Sequence, residues 1–184
     1  MILLYLVVLV SSILISLGFI LFVILQIISI FTSDAPFVPV PKAVEDEIVK
    51  NLELKSGSVL YDLGCGDGRV LIKAVQKHPG IRAVGVEVAF FPYLLAKFKT
   101  RKYKNIEIKQ ENIFQTDLSN ATHIFLYLYP EVISRLFMRI REKCKPGTRV
   151  ISCDFEAENY EPERITVIEN TGQKRGRELF VYTI

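Results

Sequence analysis

Glycines alternate with other residues directly after a short apolar run, at Gly64, Gly66 and Gly68. The preceding run, Val59–Leu63, is mostly apolar and β-prone, which is typical of a buried strand in a parallel sheet. From Arg69 onward the apolar spacing becomes helical. Glycine accepts positive φ angles and lets a ligand approach the bare backbone closely. A ligand on this strand-to-helix turn would lie at the carboxyl end of a strand, where open α/β sheets bind their ligands.

Two common nucleotide motifs do not fit this turn. A phosphate-binding loop requires a Lys-Ser or Lys-Thr pair after its last glycine, whereas this chain has Arg69-Val70. A dinucleotide fingerprint, G-x-G-x-x-G, would require a glycine at Arg69. The observed pattern is G-x-G-x-G, with Asp62 two residues ahead of its first glycine. The alternative to a ligand site is a tight structural turn that binds nothing.

A second candidate for nucleotide binding is Glu87, 23 residues after Gly64. It lies at the carboxyl end of the next predicted strand, Arg82–Val88. A carboxylate at this place can accept hydrogen bonds from both hydroxyls of a ribose. The alternative is a solvated acid at a strand end. Together, the glycine turn and Glu87 predict a ligand that contains a nucleoside.

The segment from Asp62 to Gly68 resembles the first motif of the class I S-adenosylmethionine-dependent methyltransferases. The resemblance implies that S-adenosyl-L-methionine is the cofactor and that the three glycines contact its methionine part. It also implies that Asp62 or Asp67 faces the ammonium group of the cofactor, while Glu87 faces its ribose.

The same resemblance assigns residues after the third and fourth predicted strands. In class I enzymes, an acid or amide after the third strand meets the adenine amino group, and Asn112 fits that role, with Glu111 as the alternative. The methyl acceptor enters at the end of the fourth strand, where Tyr127 and Tyr129 are found.

Two acids follow the fifth predicted strand. Asp154 and Glu156 lie near the same crevice, and they are candidate general bases by position alone. Nucleic-acid methyltransferases that modify amino groups often carry Asn or Asp, then two prolines and an aromatic residue, after the fourth strand. This chain departs from that pattern, and its net charge of +3 is small, so no nucleic-acid partner is expected.

Strands alternate with helices after residue 57, and two further strands then form a closing hairpin. This order predicts an α/β fold with a mostly parallel sheet. The resemblance implies the Rossmann-like, seven-stranded methyltransferase sheet, with strand order 3-2-1-4-5-7-6. The predicted organisation is a transmembrane anchor at 1–33, a proline-rich linker with a leading helix at 34–56, and the cofactor-binding methyltransferase domain at 57–184.

The helix predicted over Phe91–Lys104 combines apolar and basic residues. Leu94, Leu95 and Phe98 are expected to face inward. The tail of this helix carries five basic residues. Such a run is either a solvated surface or, in a membrane-anchored protein, a contact for anionic headgroups.

The first 33 residues contain no charged side chain and are dominated by Leu, Ile, Val and Phe. A membrane-spanning helix needs about 20 apolar residues. A cleaved signal peptide fits poorly, because no positive region precedes an apolar run that is too long for one. Lys42, Lys50 and Lys55 follow the helix, so the positive-inside rule places the catalytic domain on the cytoplasmic side of a single-pass membrane protein.

A more specific resemblance rests on the membrane segment, Ala35-Pro36-Phe37-Val38-Pro39, the glycine motif and the Tyr-Pro ending of the fourth strand. Together they resemble the small membrane-anchored lysine methyltransferases. That family includes mitochondrial enzymes that act on the adenine nucleotide translocase and on the c subunit of ATP synthase, and prokaryotic relatives. One interpretation of Phe37 and its neighbours is that they fold back over the nucleoside pocket, and the other is a simple spacer.

The resemblance implies methyl transfer to a lysine side chain of a membrane-associated protein. One alternative is a methyltransferase that acts on a lipid, quinone or other small molecule at the membrane, and another is a non-catalytic nucleoside-binding membrane adaptor. The three cysteines and two histidines have no metal-like spacing, so no metal is expected.

Overall fold

The computed structural model describes residues 1–32, 39–169 and 175–184, and within the first helix it describes the side chains through residue 25. The chain divides into two compact units, Met1–Pro36 and Phe37–Ile184. The boundaries predicted at residues 33 and 56 stay a prediction. The interpretation of Phe37 as a cover over the pocket concerns a residue outside the described part of the chain.

The first unit is a single apolar helix, α1, over Ile2–Thr32. Within it, Ile2–Leu25 is long and apolar enough to cross a membrane. A span of 24 residues is about 36 Å long, against a hydrocarbon thickness of about 30 Å. The hydroxyls of Ser11, Ser12 and Ser16 donate to carbonyls three or four residues earlier. These polar groups are therefore satisfied within the helix, as an apolar environment requires.

The second unit alternates strands and helices before it ends in a hairpin. Its helices are α2 (Lys42–Leu52), α3 (Arg69–Lys77), α4 (Phe90–Thr100) and α5 (Pro130–Lys143). Its strands are β1 (Val59–Leu63), β2 (Arg82–Val86), β3 (Ile106–Lys109), β4 (His123–Leu126), β5 (Arg149–Cys153), β6 (Arg164–Val167) and β7 (Glu178–Thr183).

The seven strands form one sheet in the order β3-β2-β1-β4-β5-β7-β6, which confirms the predicted fold. The first five strands pair in parallel, and β7 pairs antiparallel with both β5 and β6. Strand β1 lies centrally, so that Asp62 is in register with Gly85 on β2 and with Phe125 on β4. The carboxyl ends of five parallel strands therefore meet at one edge of the sheet.

The core lies on both faces of this sheet, because side chains alternate along each strand. Leu60 and Phe125 belong to the face covered by α2, α3 and α4. The opposite face carries α5, whose Phe137 ring lies 4.6 Å from the ring of Tyr182 on β7. Both ring-bearing residues are buried. The central parallel strands are thus buried on both faces, as a parallel sheet requires, whereas the edge strand β6 is mostly exposed.

Helix α4 does not bury the residues that were expected to face the core. Leu94, Leu95 and Phe98 are 45%, 40% and 60% exposed, whereas the small residues Ala96 and Thr100 are buried. The prediction of inward-facing large residues was wrong. The physical reason is a close approach of the helix to the glycine turn, which leaves room only for small side chains on the inner face.

Gly85 provides a test of how tightly the sheet packs beneath this turn. A Cβ atom at this position would lie 2.7 Å from Cys65 Sγ, 2.7 Å from Leu71 Cδ1 and 2.8 Å from Ile108 Cδ1. We expect Gly85→Ala to lower the free energy of unfolding by about 1–3 kcal/mol through overpacking. Urea titration of the full chain in a mild detergent measures the change.

The matched control is Gly147→Ala. Its φ of +86° strains an alanine, but no atom lies within 4 Å of the added Cβ. We expect the free energy of unfolding of this variant to fall only by the cost of placing alanine in the left-handed conformation, about 1 kcal/mol. Equal stability of Gly85→Ala and the wild type would contradict the packing argument.

Candidate functional site

The turn between β1 and α3 is built from glycines that all adopt left-handed backbone angles. The φ values of Gly64, Gly66 and Gly68 are +85°, +56° and +76°. The turn is fixed to the end of β2, because the N–H groups of Gly64 and Cys65 both donate to the carbonyl of Val86, at 2.8 and 3.0 Å. The backbone of the turn is therefore held in one conformation at the carboxyl edge of the sheet.

Gly64 and Gly68 also lie close to neighbouring segments of the chain. A Cβ on Gly64 would lie 2.8 Å from Cδ2 of Leu128, which follows β4. A Cβ on Gly68 would lie 3.2 Å from Cγ2 of Thr100, on the inner face of α4. The glycine turn thus closely approaches both the loop after β4 and helix α4, and a Cβ at either glycine would require the side chain of Leu128 or Thr100 to shift.

The carboxylate of Glu87 lies against this turn. Its Oε2 accepts a hydrogen bond from Gly66 N–H at 3.0 Å, and its Oε1 accepts one from Ala89 N–H at 2.8 Å. The residue is only 8% exposed. Burial raises the pKa of Glu87, while hydrogen bonds from the backbone N–H groups of Ala89, Gly66 and Val88 oppose that shift. The structure therefore brings the two halves of the predicted nucleoside site together.

Asp67 is buried and is paired with two cations. Its carboxylate accepts hydrogen bonds from Arg69 Nε at 2.9 Å, from Arg69 Nη2 at 2.8 Å and from Lys99 Nζ at 2.6 Å. Burial alone would raise the pKa of Asp67, but the hydrogen bonds from Arg69 and Lys99 outweigh it and lower the pKa to about 2. The charge of Asp67 is therefore already neutralised by Arg69 and Lys99.

Arg69 also connects the turn to the segment before α2. Its Nη1 donates to the carbonyl of Val40 at 2.7 Å, and Val40 is itself buried. The chain that enters the folded unit is therefore held beside the glycine turn.

Asp62 is 3% exposed and lies in the middle of the sheet, on the same face as Leu60. Burial raises the pKa of Asp62 to about 8, and the negative charges of Glu87 and Asp67 add to the shift. A carboxyl group in this position is therefore largely protonated at neutral pH. A cation placed beside it would favour the ionised form.

The residues after β3 contain one satisfied and one unsatisfied acceptor. Asn112 Oδ1 accepts a hydrogen bond from Phe114 N–H at 2.9 Å and so closes a local turn. Glu111 Oε1 is buried and has no hydrogen-bond partner within the described part of the chain. An unsatisfied buried acceptor costs about 1–3 kcal/mol, so a donor is expected at Glu111. Val88 follows Glu87 in the chain, and its apolar side chain is partly exposed.

The end of β4 brings together Tyr127 and Asp154, because Leu126 and Ser152 are in register on the parallel strands β4 and β5. Burial raises the pKa of Tyr127, and the charge and hydrogen bonding of Asp154 raise it further. The Asp154 carboxylate also accepts hydrogen bonds from the N–H groups of Gly176 and Arg177, at 2.6 and 2.7 Å. This carboxylate therefore holds the two residues that directly precede β7.

Tyr129 lies apart from that pair. It precedes the first residue of α5 and is 43% exposed, so it lies at the rim rather than in the core. Glu156, the other acid after β5, is also exposed. The structure thus separates one half-buried aromatic residue after β4 from one exposed aromatic residue two positions later.

Three contributors to this site were not predicted from the sequence. Lys99 belongs to a basic run, and nothing in its local pattern relates it to Asp67, 32 residues earlier. Leu128 contacts the turn through a fold-dependent approach to Gly64. Arg69 could have been noticed, because an arginine two residues after an aspartate at a helix start can form the pair seen here.

Neither a metal centre nor a disulfide is apparent in the described ranges. They contain no group of three or more His, Cys, Asp or Glu side chains arranged to hold an ion. Cys65, Cys144 and Cys153 are buried free thiols, and burial raises the pKa of each.

The strand order and the glycine turn define the class I methyltransferase fold, whose members use S-adenosylmethionine as the methyl donor. A family profile described as the ANTKMT methyltransferase domain matches residues 62–164. The chain belongs to this methyltransferase family, which confirms the predicted family.

Curated relatives and a crystal structure agree with this assignment. The chain is 30% identical over 154 residues to a protein-lysine N-methyltransferase of Saccharolobus islandicus (strain REY15A), covering 82% of this chain and 96% of the relative. It is 27% identical to the human lysine N-methyltransferase of the ATP synthase c subunit, covering 71% of this chain but only 56% of the human protein. A Salinibacter ruber RNA methyltransferase, crystallised with S-adenosyl-L-homocysteine, is 35% identical with a TM-score of 0.73, covering 80% of this chain and 94% of that one.

The raised pKa of Asp62 predicts how stability depends on pH. The folded chain holds a proton up to about pH 8 that the unfolded chain releases near pH 4. The contribution of Asp62 to stability is therefore full below pH 4 and is lost as the pH rises toward 8. We expect the free energy of unfolding of the wild type, minus that of Asp62→Asn, to fall between pH 5 and pH 8.

The fall is at most about 1.4 kcal/mol per pH unit. Chemical denaturation of both proteins at several pH values, without cofactor, measures the difference. A difference that does not change with pH would show that Asp62 titrates near its ordinary value.

Proposed function

We propose that this chain transfers a methyl group from S-adenosyl-L-methionine to the side-chain amine of a lysine in a membrane-associated protein. The proposal rests on one geometric observation, the hydrogen bond from Gly66 N–H to the Glu87 carboxylate. That bond makes the glycine turn and the acid a single site at the carboxyl edge of the sheet. The lysine acceptor is supported by the Saccharolobus islandicus relative, which matches over nearly its whole length.

The charges and acceptors of the site fit this cofactor, which carries an ammonium and a sulfonium cation. Asp62 is a buried carboxyl group with a raised pKa, so a neighbouring cation would stabilise its charged form. The Glu87 carboxylate accepts backbone N–H groups and keeps lone-pair capacity that the ribose hydroxyls can use. The unpartnered Glu111 Oε1 can accept from the adenine amino group, with the amide of Asn112 as the alternative.

The bound cofactor supplies an electrophilic methyl group together with its leaving group. The protein must then position a neutral amine and exclude water. Lysine has an ordinary pKa of about 10.4, which burial lowers. Tyr127 is half-buried and Tyr129 lies at the rim, so their rings can flank an entering amine and its cationic product. The raised pKa of Tyr127 keeps its hydroxyl protonated, so this residue orients the amine rather than removing its proton.

The membrane part of the proposal rests on α1. Its apolar segment is long enough to cross a bilayer, and the first basic residues after it are Lys42, Lys50 and Lys55. By the positive-inside rule, the chain is a single-pass membrane protein whose folded unit lies on the cytoplasmic side. Such an anchor would confine the search for a membrane substrate to two dimensions.

A second candidate acceptor is RNA. The observation in its favour is the Salinibacter ruber structure, which is 35% identical to this chain and is described as an RNA methyltransferase. Against it, the chain continues after β4 as Tyr127-Leu128-Tyr129-Pro130, without the polar residue and proline pair that are common in amino-methylating nucleic-acid enzymes. A protein acceptor therefore remains the proposal, and RNA is one outcome of the acceptor experiment below.

Glu87→Gln tests the cofactor site. The substitution removes the charged carboxylate that would accept hydrogen bonds from the ribose hydroxyls. Hydrogen bonds to charged groups contribute about 1.5–3 kcal/mol. We expect the Kd for S-adenosyl-L-homocysteine, measured by calorimetry, to rise about tenfold to a hundredfold. The loss should be much smaller for an analogue that lacks both ribose hydroxyls. Glu107→Gln is the matched control, because Glu107 is exposed on β3 and pairs with Arg82. An equal loss with both ligands would mean that Glu87 only supports the turn.

A labelled-methyl assay tests the acceptor. The full-length protein, in detergent or in vesicles, is incubated with native membranes and S-adenosylmethionine labelled on its methyl group. We expect the label in a protease-sensitive fraction that resists ribonuclease and solvent extraction, and acid hydrolysis should release methylated lysine. Glu87→Ala should abolish the labelling.

The other outcomes select among the alternatives. Label in the solvent extract would identify a lipid or quinone acceptor, and label lost on ribonuclease treatment would identify RNA. Calorimetric binding of the cofactor without any labelling would support a non-catalytic nucleoside-binding adaptor. Each of these results would overturn the lysine proposal.

A further inference from the structure

Helix α4 exposes its large apolar side chains and buries its small residues, the reverse of the usual arrangement in an amphipathic helix. Phe90 is 46% exposed, and Leu94, Leu95 and Phe98 are exposed to a similar or greater degree. Leu94 and Phe98 are four positions apart, so they lie one above the other on the helix. We define the α4 outer surface as the exposed residues Phe90, Leu94, Leu95, Lys97, Phe98, Arg101 and Lys102.

The orientation of α4 is fixed from the other side. Ala96 and Thr100 pack against Gly68, which leaves no space for larger residues there. Lys99 is bound to Asp67, so its charge is used within the folded unit. The helix cannot rotate to bury Leu94 and Phe98 without breaking these contacts. The apolar outer residues are therefore a fixed feature of the surface.

The surface around these apolar residues is positively charged. The sequence between Glu87 and Glu107 contains five basic residues and no acidic one. Apart from Lys99, these are Lys97, Arg101, Lys102 and Lys104, all exposed. The Arg101 guanidinium lies 4.1 Å from the centre of the Phe98 ring, so a cation and an apolar ring occupy the same part of the helix. Exposed Phe and Leu beside Lys and Arg are typical of helices that lie in a membrane interface.

We propose that the α4 outer surface docks on the surface of a bilayer containing anionic lipids. Phe98, Leu94 and Leu95 would enter the boundary between headgroups and acyl chains, while the cations would contact lipid phosphates. The positive charge of this surface favours anionic lipid over a second copy of the chain or another protein as the occupant. Two copies of this surface would repel each other, and the cores of protein–protein interfaces are depleted in lysine. Helix α1 supports the assignment, because a chain inserted through it would be at a bilayer already.

Docking of α4 would not depend on which acceptor is methylated, and it would give the bilayer a second contact beyond α1. It also has a consequence for the candidate site. Helix α4 begins three residues after Glu87, and its Lys99 holds Asp67 in the glycine turn. The helix that would contact lipid is thus the helix that supports one side of the cofactor turn.

The test uses a fluorescent label at a single position of α4. Phe98→Cys is labelled with an environment-sensitive dye, and the three native cysteines give little background because they are buried. The matched control is Met138→Cys on α5, because Met138 is 61% exposed and Phe98 is 60% exposed. The labelled full chain is reconstituted into phosphatidylcholine vesicles with or without phosphatidylglycerol, and quenching by brominated lipid is measured on the material that floats with the vesicles.

We expect quenching at position 98 to be several-fold stronger than at position 138 in vesicles that contain phosphatidylglycerol. Replacing Lys97, Arg101 and Lys102 by Gln should lower the affinity of the α4 outer surface for the bilayer by about fivefold for each charge removed, and quenching at position 98 should fall accordingly. Leu94→Cys provides a second label position if Phe98→Cys does not fold, and binding of S-adenosyl-L-homocysteine reports on folding of every variant.

Several results would overturn the proposal. They are equal quenching at positions 98 and 138, and equal quenching at position 98 with and without phosphatidylglycerol. If the label at position 98 became more shielded from water in detergent as the protein concentration rose, the α4 outer surface would be assigned to contact with a second copy of this chain. Loss of methyl transfer in the labelled-methyl assay leaves the docking result unaffected, so the two proposals fail separately.

Discussion

Three carboxyl groups, those of Asp62, Asp67 and Glu87, are buried close together at the carboxyl ends of β1 and β2, and the rest of the site follows from how each is accommodated. A buried carboxylate is costly unless it is paired or hydrogen-bonded. Asp67 is paired with Arg69 and Lys99. Glu87 accepts backbone N–H groups. Burial raises the pKa of Asp62 to about 8, so Asp62 is accommodated by keeping its proton.

These three solutions have different consequences for a ligand. Asp67 is already neutralised, so it holds the shape of the turn and offers little attraction to a cation. Among the described residues no cation compensates Asp62 in this way, so Asp62 is the acid whose energy would change most when a cationic ligand arrives. The site stores an unfavourable interaction that a sulfonium and an ammonium group would relieve. Strain of this kind at a functional site is expected to lower the stability of the free protein.

The sequence predicted the local parts of this arrangement well. Glycine spacing, the position of Glu87 after a strand and the alternation of elements are short-range patterns, and the fold they indicate is the one observed. The sequence could not predict contacts between distant segments. The inner face of α4 is set by Gly68, more than 20 residues earlier, so its own apolar pattern gave the wrong orientation. The pairing of Lys99 with Asp67 and the engagement of Asp154 by Gly176 likewise depend on the assembled fold.

Helix α4 shows how one element can meet two demands with opposite faces. Its inner face must be small so that the glycine turn can approach, and this requirement removes the usual way of burying large apolar residues. Those residues remain on the outside, where water disfavours them. A soluble domain would be expected to replace them with polar residues, since nothing in the described fold requires Leu94 or Phe98 to be apolar. In the proposed membrane setting, Leu94 and Phe98 contact lipid instead of water. A folded unit docked in this way would lie next to the headgroups, where it can reach a lysine acceptor whose side chain extends toward them.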